Sequence, residues 1–128
     1  PDAAYVMTGD LATFLRGNVE NALEQELIPL GQELQFARAY ARLEYYQRGM
    51  LEVKWNVTMV DGYVFGGSVY GVIMRFVKTY IVNCPEKRTI VVENGTDGEF
   101  VQISIPEVGA VEEVRIQSGG SEHEDYIG

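Results

Sequence analysis

"LGQELQFARAYARLEYYQRGMLEVKWNV", Leu30–Val57, changes its period part-way along. Up to Arg48 the apolar residues Leu30, Leu34, Ala37 and Ala41 recur at helical spacing, and Phe36, Tyr40 and Leu43 widen the stripe. Gly49 then supplies a residue that ends helices. From Met50 the pattern alternates. Leu51, Val53, Trp55 and Val57 point one way, and Glu52, Lys54 and Asn56 the other. The spacing predicts a helix that ends near Gln47–Gly49, followed by a half-buried strand over 50–57.

Upstream, Pro29 suits a first helical turn, where its missing N–H costs nothing, and Glu33 in that turn complements the helix dipole. Residues 2–24 read as another helix, with Val6, Met7, Leu11, Phe14 and Leu15 on one stripe. Downstream, Asp61-Gly62 marks a turn and Tyr63–Phe65 a short extended piece. Val69 to about Val82 is the next helix, with Val69, Ile73, Phe76, Val77 and Tyr80 on one face. Two β-branched runs, Thr89–Asn94 and Glu99–Ile105, flank a glycine-bearing turn and predict a hairpin. After Pro106 the pattern degrades, and "EVRIQSG" is one more short strand at most. The order ααβ(β)αββ separates helices from antiparallel strands and predicts an α+β sandwich. Gly66-Gly67 and Gly119-Gly120 read as turns and not as a phosphate loop leading from a strand into a helix.

Composition removes several classes of function. With 128 residues one domain is expected, and 46% hydrophobic content suffices for a core. The net charge of −9 disfavours nucleic acid and direct contact with an anionic membrane. One cysteine, Cys84, excludes an internal disulfide and fits a reducing compartment. With a single histidine, His123, it does not supply a zinc set. The opening residues lack the basic and apolar regions of a signal peptide.

The wording itself resembles a known family. Asp10, Leu11, Phe14, Leu15 and Arg16, then Ile28-Pro29-Leu30, Glu33-Leu34, Tyr40 and Glu44, then Leu51, Val53 and Trp55, match the kinase region of LytS-type sensor histidine kinases. The resemblance implies a two-layer α/β sandwich of the histidine-kinase ATPase type, the Bergerat or GHKL type, with an N-terminal helical segment. It implies a division into 1–48, a two-helix end of the dimerisation region, and 49–128, the ATPase-like sandwich without its C-terminal part.

The family's next landmark is a helix worded roughly "LQPLVENAIKHG", whose Glu acts as a base and whose Asn helps hold Mg²⁺ with ATP. The matching stretch here is "IMRFVKTYIVNC", Ile73–Cys84. Its apolar letters carry over, but Lys78 stands at the Glu position, Thr79 at the Asn position, and Asn83 at the His position. A second landmark, "DNGVGF", binds adenine through its Asp. Here "ISIPEVGAVE" offers Glu107 as the nearest carboxylate and Gly109 as the remaining glycine. A Lys ammonium is not a base unless its pKa falls far, and a Thr hydroxyl is a weak Mg²⁺ ligand beside an amide oxygen.

The resemblance therefore implies a signal-transduction module with no catalytic residue, no metal site and no cofactor, in which Lys78, Thr79, Asn83, Glu107 and Gly109 mark a degenerate nucleotide site. It further implies a homodimer through the N-terminal helices, a response regulator as partner, and the cytoplasmic side of a membrane-bound sensor. The alternative is an active kinase domain that binds ATP and Mg²⁺ through altered letters and phosphorylates a His in an upstream segment. His123, between Glu122 and Glu124, reads as a solvated surface residue. Cys84 reads as a small buried or capping residue at a helix end. Tyr40, Tyr45 and Tyr46 read as part core and part exposed aromatic surface.

Overall fold

The computed structural model describes residues 26–49 and 51–118. The expected helix over 2–24, Gly119-Gly120 and His123 lie outside the described residues. Strand β1 (Leu27–Pro29) leads into helix α1 (Leu30–Arg48). Strands β2 (Leu51–Asn56) and β3 (Tyr63–Phe65) follow, then helix α2 (Ser68–Phe76), which continues as a π-helical turn over Val77–Ile81. Strands β4 (Arg88–Asn94), β5 (Phe100–Ile105) and β6 (Ala110–Arg115) complete the described chain.

The change of period at Gly49 is a change of structure. Gly49 takes the left-handed conformation at φ 68° and donates its N–H to the Tyr45 carbonyl, which closes α1 before β2 begins. The main sheet has the order β2-β4-β5-β6. β4, β5 and β6 are antiparallel neighbours, but β2 runs parallel to β4, with Val53 opposite Ile90 and Trp55 opposite Val92. The sheet is thus mixed and not the antiparallel one expected. The connection through β3 and α2 returns the chain in the same direction before it pairs with β2, as a parallel pair requires. β1 and β3 form a small antiparallel ribbon, and Tyr63 bridges to Gln117 beyond β6.

Both helices cover one face of the sheet. Leu30, Leu34, Ala37 and Tyr40 of α1 meet Val69, Val72, Ile73 and Phe76 of α2 over Ile90, Val92, Val101, Ile103 and Ile105. This is a two-layer α+β sandwich. α1 shares this core with the residues after Gly49, so the two sides of the expected division at 48 and 49 are packed together. Each of the fully buried aliphatic side chains contributes about 1.5–3 kcal/mol of transfer free energy. Among the described residues, no helix is long and apolar enough to cross a membrane.

β6 departs from expectation. It starts at Ala110, and all six of its residues stand in register with β5. Only Val114 is buried, so an edge strand with mixed polar letters shows little alternation. Asn94, at the end of β4, ties down the loop after β2: its Oδ1 accepts from the N–H groups of Thr58 and Met59, and its Nδ2 donates to the Met59 carbonyl.

Candidate functional site

The stretch Ile73–Cys84, which resembles the kinases' landmark helix in wording, falls on α2, its π turn and the loop after it, and the two ends of this helix differ. At the N-terminal end, Gly66-Gly67 joins β3 directly to α2. The pair does lead from a strand into a helix, contrary to expectation. Gly67 sits at φ 82°, a conformation that side-chain-bearing residues rarely adopt. Its N–H, with those of Val69 and Tyr70, would form an anion-binding end. That end is already filled from within. Glu33, fully buried, accepts from the Gly67 N–H at 2.9 Å through one oxygen, and from Val69 at 2.9 Å and Tyr70 at 3.0 Å through the other. Glu33 therefore caps α2 and is not merely a complement to its own helix dipole. Burial pushes its carboxyl above the ordinary 4.5, against the opposing pull of the three backbone hydrogen bonds. The Ser68 hydroxyl beside this cap is buried and has no hydrogen-bond partner.

At the other end the helix widens. The Val82 N–H reaches back to the Val77 carbonyl at 2.9 Å, a five-residue step. Ile81 is buried beside Val77, and Tyr80, on the expected apolar face, is half-buried against the core and Phe76. Lys78, Thr79 and Asn83 are all exposed. The Tyr80 carbonyl accepts from the Arg88 guanidinium at 2.8 Å, which ties the turn to the start of β4.

The second set of expected residues lies on the turn between β5 and β6. Glu107 accepts from the Thr89 N–H at 3.3 Å, so its carboxylate leans on the start of β4. Gly109 takes φ 70° and donates to the Pro106 carbonyl, closing the turn. Glu107 and Arg88 thus anchor their two turns at the same end of β4, on adjacent residues. No hydrogen bond or ion pair among the described residues links Lys78, Thr79 or Asn83 to Glu107 or Gly109. Among the described residues, no three His, Cys, Asp or Glu side chains cluster closely enough to hold a metal ion.

Two further expectations find their place, and one ion pair was not expected. Cys84 is half-buried, and its Sγ accepts from the Glu86 N–H at 3.4 Å, a capping contact in the loop before β4. Tyr40 belongs to the core, while Tyr45 and Tyr46 are exposed. Arg75, on α2, forms a 2.6 Å ion pair with Glu112 of β6 and fastens the helix to the sheet edge. Sequence spacing pointed neither to this pair nor to the cap by Glu33. Both join residues more than thirty positions apart, and no local period records that.

Comparison with known proteins returned nothing: no family model, no curated protein and no solved structure matches this chain.

Proposed function

We propose that this chain is a degenerate ATPase-like domain of the LytS-type sensor histidine kinases, acting in signal transduction as a binding or regulatory module without phosphoryl transfer. One observation carries the reading. The turn at the family's base and metal positions buries its apolar side, through Val77 and Ile81, and shows water a cation and a hydroxyl, Lys78 and Thr79. Phosphoryl transfer needs metal to offset charge on the transferring group, and neither side chain is suited to hold it. The π turn adds support, because such turns occur often at functional sites and are rare elsewhere. On this reading the fold is of the histidine-kinase ATPase type. Its partners are a second copy through the N-terminal helices and a response regulator, on the cytoplasmic side of a membrane-bound sensor.

Calorimetric titration of ATP with and without Mg²⁺ tests the reading. The expected result is no saturable Mg²⁺-dependent heat. Mg²⁺-dependent saturation in the micromolar range overturns the reading in favour of an active kinase domain.

A further inference from the structure

A cleft of about 600 Å³ opens where α1 passes over β2, at the end of the sheet. Its size falls within the range of roughly 300–1,000 Å³ usual for small-molecule sites. It shares no residue with the degenerate nucleotide positions. Arg38, Arg42 and Lys87 bring three of the chain's 10 basic residues to its walls. The single tryptophan, Trp55, lines it together with Tyr45 and Tyr46.

Two chemistries meet there. The first is positive charge on a chain of net charge −9. A concave wall with three cations draws small anions to a place where the rest of the surface repels them. Arg38 and Arg42 are one helical turn apart on α1, so both face the cleft. Arg38 lies 5.2 Å over the Trp55 ring. A guanidinium held over a ring in this way keeps N–H donors that fit a carboxylate or phosphate. Lys87 forms a 3.8 Å surface pair with Glu52, which also lines the cleft, and such a pair exchanges readily for another anion.

The second chemistry is aromatic surface. Tyr45 is 52% exposed and Tyr46 38%, with ring centroids 6.0 Å apart. A flat ring laid against this exposed pair removes apolar surface from water. An inorganic anion uses only the first chemistry, and a neutral ring only the second.

We propose that this cleft binds a small aromatic anion, a ring carrying a carboxylate or a phosphate, with the anion on Arg38, Arg42 and Lys87 and the ring against Tyr45 and Tyr46. The proposal does not rest on the degenerate-kinase reading, and its test uses neither nucleotide nor Mg²⁺. Trp55, as the only tryptophan, reports occupancy through its own fluorescence. The full chain is titrated with phenyl phosphate, phenylacetate, phenol and inorganic phosphate, and equilibrium dialysis repeats each titration without relying on Trp55. At least one of the two aromatic anions should saturate the signal, and the tighter of them identifies the anion. Phenol and inorganic phosphate should each bind about tenfold more weakly or worse, as should that anion to the Arg38→Ala/Arg42→Ala double variant. Tyr45→Ala, at an exposed position that leaves both arginines in place, should weaken the aromatic anions but not inorganic phosphate. The proposal fails if neither aromatic anion saturates, if phenol or inorganic phosphate binds as tightly, or if both variants, folded by circular dichroism, bind like the parent chain.

Discussion

At its N-terminal end, α2 has three backbone N–H groups closed on one buried carboxylate; at its C-terminal end, it widens into a π turn whose polar side chains face water. A helix N-terminus attracts anions, and here the chain supplies its own, so that end has no vacancy for a phosphate. The opposite end is open and shows Lys78, Thr79 and Asn83 to water. Between the two ends, Val69, Val72, Ile73 and Phe76 are buried against α1 and the sheet. The difference teaches that packing and chemistry are separable along one helix. The side that faces the core is fully specified, and the side that faces water is free to vary.

The sharpest way to break this comparison is to empty the filled end. Glu33→Ala leaves the N–H groups of Gly67, Val69 and Tyr70 without their acceptor and opens a void in the core. The expected loss is about 3–4 kcal/mol of unfolding free energy in urea titration, since each unsatisfied buried donor costs roughly 1–3 kcal/mol and part of that is recovered through water. A loss below about 1 kcal/mol, the worth of an ordinary surface cap, would show that the cap is incidental.

Next comes the contrast between the two faces of the same helix. Ile73 is fully buried, and Ile73→Ala should cost about 3 kcal/mol in transfer and cavity terms. Lys78 is exposed, and Lys78→Ala should stay within about 0.5 kcal/mol. Similar unfolding midpoints for the two variants would contradict the assignment of faces.

The cap should also respond to pH. Burial raises the Glu33 pKa above 4.5, so the folded chain holds this proton more tightly than the unfolded chain does. The stability due to Glu33 is therefore complete below about pH 4.5 and is lost as pH rises through the raised value. Glu33→Gln does not titrate at this position. From pH 4 upward, the parent chain should lose stability relative to Glu33→Gln, measured as urea midpoints at each pH. A gap that moves the other way would mean that the three hydrogen bonds outweigh burial in this site.

Much of the fold was legible, because its signals are local. The periods of α1 and β2, the break at Gly49 and the extended piece at Tyr63–Phe65 each follow from neighbouring residues. What was not legible depends on residues brought from far away. Parallel pairing of β2 with β4 is a choice of topology that neither strand encodes. The π turn over Val77–Ile81 leaves no mark in the letters, which keep an apolar helical spacing through it. Glu33 in a first turn looks like any acidic residue near a helix start, and only folding shows it beneath another helix. Arg38 and Trp55 come together only when α1 is laid over β2. Of the expected site, the exposure of Lys78 and Thr79 fits their place off the apolar face of the expected helix. The lean of Glu107 on Thr89 was not legible, because it crosses between two turns.

The smallest expected effect concerns the open end. Lys78→Glu with Thr79→Asn puts on the exposed turn the letters that LytS-type kinases carry in the stretch it resembles. Both side chains face water, so the fold should change by about 0.5 kcal/mol or less. The substitutions supply a carboxylate and an amide oxygen, the right kinds of group for a base and a Mg²⁺ ligand. They leave the turn between β5 and β6 as it is. That turn still has no Asp to accept from an adenine amino group, and Glu107 is engaged with the Thr89 N–H. Calorimetry with ATP and Mg²⁺ should therefore stay silent for the double variant. If these two letters alone brought saturable nucleotide binding, the deficiency would be confined to the π turn, and the turn between β5 and β6 would already be competent. Silence in a correctly folded variant places a second deficiency beyond α2, and the next change belongs at Pro106–Gly109.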